Sequence, residues 1–192
     1  AAHWNLMRLA EALSPVFSSN TAEAVAMAES SIGAFESTFT KHYLHGFSVK
    51  LGLDSDADAF LSETLQLLAE QKVDFTLFFR HLTSVAAGAP TDDLSNLFGA
   101  REALDAWFLQ WRSQTEGLDA ERLKAMREVN PIIIPRNHRV EDAIQQALQD
   151  NFAPFHRLVE GTAHPYLERS EFADFEQPPE PEQVVCQTFC GT

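Results

Sequence analysis

The chain has 192 residues, with 28 Asp plus Glu against 14 Lys plus Arg, and a formal charge of −14. Its 45% hydrophobic and 22% charged content is ordinary for a globular protein, which excludes disordered and fibrous classes, and the length suffices for a sizeable core. A pI near 4.8 with only four Lys argues against nucleic acid as a partner, and no apolar run approaches the roughly 20 residues that cross a bilayer.

Helical spacing dominates the whole chain, so the expected fold class is all-α, an irregular helical bundle. Trp4, Leu6, Leu9, Ala10, Leu13 and Phe17 outline a first helix, with Pro15 as a break or kink near its end. This segment opens at Trp4 with no initiating Met and no signal-peptide pattern, which suggests that something upstream is missing. A second helix starts at Thr21 behind Ser18-Ser19-Asn20, carries Ala24, Ala28, Ile32, Phe35 and Phe39 on one face, and runs towards Gly52 with an interruption expected at Gly46. Asp54-Ser55-Asp56 offers caps for a third, whose stripe is Phe60, Leu61, Thr64, Leu65 and Leu68. Asp74 caps a fourth with Leu77, Phe78, Leu82 and Val85.

Gly88 to Gly99 reads as a loop with one short turn at most. A fifth helix from Ala100 to about Thr115 carries Leu104, Trp107, Phe108 and Trp111, and a sixth beyond Gly117 carries Leu118, Leu123 and Met126. In Asn130-Pro131-Ile132-Ile133-Ile134-Pro135 the flanking prolines favour an extended buried connector over a sheet strand. Two further helices are expected around Val140–Leu148 and Phe152–Val159, before an acidic tail with Pro178-Pro179-Glu180-Pro181. The expected organisation is a helical part over 1–129, a connector with C-terminal helices over 130–176, and an acidic Pro-rich tail over 177–192. Residues 141–192 hold ten acids and two bases, over half the excess charge. That segment is either a solvated face or a surface for a basic partner.

The search for chemistry yields little. Asp74-Phe75-Thr76 and His138-Arg139-Val140 echo kinase motifs, but the first lacks its Gly and the second has Val where a proton-accepting Asp is needed. No two of the eight glycines form a phosphate cradle. His42 and His45 lie three apart but lack further ligands at a zinc-like spacing, and Trp107 with Trp111 reads as core. The two cysteines, Cys186 and Cys190, both lie in the last seven residues, so no disulfide framework holds the body together. Their spacing permits a disulfide or exchange with partners. It does not favour a thiol oxidoreductase, whose redox pairs follow Cys-x-x-Cys.

Several strings occur in a telling order: Trp4-Asn5-Leu6-Met7-Arg8-Leu9-Ala10, Lys50-Leu51-Gly52-Leu53, Asp74-Phe75-Thr76 with Phe79-Arg80, Asn130-Pro131 with Pro135-Arg136-Asn137-His138-Arg139-Val140-Glu141, and Thr188-Phe189-Cys190-Gly191-Thr192. Together they resemble the C-terminal portion of the selenoprotein O family, in its bacterial form with Cys in place of selenocysteine. The resemblance implies a kinase-like fold and transfer of AMP from ATP to Ser, Thr or Tyr hydroxyls of substrate proteins. It implies ATP and Mg2+ or Mn2+ for the whole protein, a bacterial cytoplasmic setting, and the N-terminal catalytic half as partner. In that family the ATP- and metal-holding residues precede the Trp-Asn-Leu motif. The resemblance therefore implies no catalytic, cofactor-binding or metal residue, and no bound cofactor, in this chain. Cys190 matches the family's redox position, whose thiol or selenol pairs with a cysteine near the activation segment; Cys186 has no family role. A stand-alone acidic helical interaction module is the alternative. An exposed apolar face around Trp4 would speak for the former and its absence for the latter.

Overall fold

A computed structural model describes residues 2–55 and 57–185. Helices account for its regular structure, and among the described residues there is no strand. The all-α expectation holds. In chain order the helices are α1 (Ala2–Phe17), α2 (Thr21–Gly33), α3 (Phe35–Leu51), α4 (Asp58–Glu70), α5 (Phe75–Ala86), α6 (Asp92–Ser95), α7 (Arg101–Gln114), α8 (Ala120–Val129), α9 (Asn137–Ala147), α10 (Ala153–Thr162) and α11 (Ala173–Glu176). None is long and apolar enough to cross a membrane among the described residues. The chain forms two compact units, Ala1–Phe47 and Ser48–Thr192.

In the first unit α1 and α2 pack on each other across a three-residue connection. Asn20 caps α2 by accepting the Ala22 N–H at 2.9 Å. Two expectations need correction. Pro15 lies inside α1, close enough to its end that the helix completes its last turn, and the break between α2 and α3 falls at Ala34, not Gly46. Gly33 is the last residue of α2, whereas Gly46 sits within α3. Along α3, Phe35, Phe39, Tyr43 and Phe47 recur every four residues with neighbouring rings 4.8–5.8 Å apart. The unit nonetheless buries only Ala10 and Ala24 among its described hydrophobic residues.

The second unit holds the core. Where α3 ends, Gly52 takes φ +71°, and the Leu53 and Gly52 N–H groups return to the Ser48 and Val49 carbonyls. That positive φ favours Gly, and a Cβ there would come within 2.6 Å of Met126 Sδ and 2.9 Å of Leu118 Cδ1, which would have to shift. No side chain caps α4 at Ala57, and the expected cap residue Asp54 instead pairs with Arg122 at 2.6 Å. The α4, α5 and α7 stripes meet as read from spacing: Phe78 is fully buried edge-on to Trp107, which stacks on Phe60 and Trp111. Both indole N–H groups are satisfied, by Thr64 Oγ1 and by the Leu51 carbonyl, each at 2.8 Å.

The stretch from Asn130 to Pro135 is the expected extended connector. Ile132 and Ile133 are buried, and their N–H groups both donate to the Pro165 carbonyl. They seed a second cluster with Ala143, Leu158, Phe172 and Phe175. A turn at Ser170–Phe172 and α11 thus belong to the core of this unit despite their acidic sequence. Gly161 on α10 sits against Phe175, where a Cβ would lie 2.8 Å from the ring. Gly161→Ala should therefore cost about 1–3 kcal/mol by overpacking. Gly46→Ala, with open space around it inside α3, should be neutral or gain up to ~1 kcal/mol. Urea unfolding followed by circular dichroism separates the two.

Candidate functional site

Lys50, Asp74, Asn130 and Arg136, each from one of the sequence strings, take part in buried polar contacts of the second unit. Asn130, at the end of α8, is 1% exposed. Its amide donates to the Lys50 carbonyl and to Thr83 Oγ1, both at 2.9 Å. Thr83 in turn donates to the Phe79 carbonyl on α5. The Lys50 ammonium donates to the Val129 carbonyl at 2.8 Å and to Asn130 Oδ1 at 3.2 Å, and lies over the Phe79 ring. Burial pulls the Lys50 ammonium below the usual lysine range. One amide thus ties together the ends of α3 and α8 and the middle of α5.

A second node forms at the start of α5. Asp74 caps the helix by accepting the Leu77 N–H at 2.9 Å, and its carboxylate takes both terminal nitrogens of Arg136, at 2.6 and 3.3 Å. Arg136 is 8% exposed and also donates to the Glu176 carbonyl. Burial alone would raise the Asp74 carboxyl, but the Arg136 hydrogen bonds and charge, with the Leu77 and Thr76 N–H groups, hold it below the usual carboxylate range. Arg139 and Arg157 both reach Asp174, and Arg157 lies over the Phe172 and Phe175 rings. Burial, then the charges of Arg139 and Arg136, keeps the buried His138 below the usual histidine range.

These contacts clamp backbone and charge, and leave little for a ligand. Asp74 is a helix cap and ion-pair partner, in keeping with the missing Gly of the first kinase-like string. His138 is a packed residue, and Trp107 and Trp111 are core. His42 and His45 lie on α3, and among the described residues no three His, Cys, Asp or Glu converge to hold a metal. Cys190 and Cys186 lie outside the described residues. The Lys50–Asn130–Thr83 node is not evident from sequence. A lone Asn immediately before a proline-flanked buried connector is the one signal that points to it.

A family model for "Protein adenylyltransferase SelO" matches residues 1–163. The chain is 44% identical to a protein nucleotidyltransferase YdiU of Rhodopseudomonas palustris over 98% of its length, and 43% identical to those of Nitrobacter winogradskyi over 100% and Rhizobium meliloti over 98%. It spans about 40% of the length of these relatives.

Two measurements test the network. Asn130→Leu removes the amide from the Lys50 carbonyl, the Lys50 ammonium and the Thr83 hydroxyl together and should cost about 2–4 kcal/mol by urea unfolding. The Asp74 carboxyl titrates lower folded than unfolded, so its stabilisation is complete above the ordinary carboxylate value near 4 and is lost as pH falls through the depressed value. Asp74→Asn keeps a capping oxygen but leaves Arg136 without its carboxylate. It should lose about 3 kcal/mol at pH 7 and flatten the acid limb of stability below about pH 4.

Proposed function

The chain belongs to the SelO protein adenylyltransferase family, and from that premise we propose that it is the C-terminal scaffold and redox-tail part of an enzyme that transfers AMP from ATP to protein hydroxyls. The observation that carries this reading is the unfinished surface of its first unit. Trp4 is 61% exposed, Leu9 53% and Val16 79%, with Val25, Met27 and Phe39 about half exposed, while that unit buries only two alanines among its described hydrophobic residues. Such a surface suits packing against further polypeptide better than it suits a finished module, which disfavours the acidic interaction module.

The network residues do not fit a nucleotide and its metal. Lys50 is spent on Val129 and Asn130, Asp74 on Arg136 and the α5 terminus, and no cluster of metal-ligating side chains forms among the described residues. On this reading ATP and divalent metal are held by residues outside these 192, and the network positions α3, α5 and α8 as support for them. Cys190 carries the redox response of the whole protein, and the partners are the catalytic half and its protein substrates.

Incubating labelled ATP, Mg2+ and a test protein with this chain alone, and with a whole family protein containing this region, decides the matter. Label transfer is expected only with the whole protein. Transfer by the 192-residue chain alone overturns the scaffold reading. Asn130→Leu in the whole protein should reduce transfer in proportion to folded fraction, leaving the KM for ATP of the folded protein unchanged.

A further inference from the structure

A cavity of about 360 Å³ opens between α5, α8 and the segment after α10, lined by Arg80, Thr83, Ser84, Arg127, Tyr166 and Glu168 among others. Its size falls within the range of roughly 300–1,000 Å³ common for small-molecule sites. Two arginines line one cavity in a chain whose net charge is −14, so the pairing runs against the average field of the molecule. Arg127 is exposed on α8, and its guanidinium makes no ion pair or hydrogen bond with any described residue. Arg80 is mostly buried, and among the described residues its guanidinium makes a single polar contact, from Nη2 to Glu168 Oε2 at 3.0 Å, with a glutamate whose side chain is 79% exposed. Glu176 also lies within the field of Arg80, and burial raises its carboxyl.

We propose that this cavity is a binding site for a small phosphate monoester, whose phosphoryl group bridges Arg80 and Arg127 and displaces Glu168. Guanidinium groups present five donors each in a planar fork, and Tyr166 adds a hydroxyl. That supply exceeds what the two oxygens of a carboxylate can accept and suits the three terminal oxygens of a phosphoryl group. Glu168 is the built-in competitor: largely exposed, it holds the Arg80 fork by one contact and yields it to a dianion. Ala87, Ala89 and Ile132 also line the cavity and give the organic part of the ester apolar contacts. The site is independent of the adenylyl-transfer reading, and neither arginine belongs to the network around Asn130.

Titrating inorganic phosphate and phenyl phosphate into the 192-residue chain, with the arginine Nε–H signals read by NMR, tests it. Saturable shifts of the Arg80 and Arg127 signals are expected, with phenyl phosphate binding the tighter. Glu168→Gln should tighten both ligands several-fold by removing the competitor. Arg127→Gln, at an exposed position that leaves the fold intact, should weaken them about tenfold. Shifts that rise linearly without saturation in both wild type and Glu168→Gln, or equal affinity in Arg127→Gln, would overturn the site.

Discussion

The second unit depends on one side-chain amide. Asn130 sits where α8 ends and the extended connector begins, a point at which helix carbonyls run out of intrahelical partners. Its amide takes the Lys50 carbonyl near the end of α3 and the Thr83 hydroxyl of α5, and the Lys50 ammonium closes the ring on the Val129 carbonyl. Amide, hydroxyl and ammonium are thereby paired with one another or with backbone, and only then does burying a lysine stem beside Phe79 become favourable. Without that junction Ile132 and Ile133 have no fixed entry into the second hydrophobic cluster, because their own N–H groups bond only to Pro165.

Helix existence was legible because the apolar stripes of α4, α5 and α7 have a strict 3.6 period and face one another in the core. Helix ends were legible where a cap has chemistry, as at Asn20 and Asp74, and less so where flexibility alone decides. Gly33 and Gly46 look alike in sequence, and which one ends a helix is settled by their neighbours: the aromatic series from Phe35 to Phe47 is continuous across Gly46. The acidic segment holding Phe172 and Phe175 was missed for a different reason. Two aromatics among the four acids Glu168, Glu171, Asp174 and Glu176 carry too little periodicity to announce burial. The rings are held from outside by Arg139, Arg157 and Arg169, contributed by α9, α10 and the loop beyond.

The candidate site was legible in parts and not as a whole. Asp74 as a helix cap followed from its position before an apolar run. Its second task, holding Arg136 from 62 residues away, is a tertiary pairing that no local pattern encodes. The string Arg136-Asn137-His138-Arg139 stands out as a motif, and the geometry explains it: Arg136 and Arg139 donate to the backbone carbonyls of Glu176 and Asp174, so α11 is fastened by two cations whose charges Asp74 and Asp174 balance.

That balance also explains why an excess of acid in the last quarter of the chain is compatible with a packed domain. Exposed carboxylates repel weakly across water, over a Debye length of roughly 8–10 Å. Asp74, partly buried, and Asp174, nearly half exposed, are held ionised by arginine forks. Glu176 has no such fork, and its carboxyl is raised instead, by burial and by Glu168 beside it. The charge of this region is therefore sorted by pairing. Acids with an arginine fork stay ionised and fasten one element to another, Glu176 without one has its carboxyl raised, and among the described residues the Arg80 guanidinium is held by Glu168 alone.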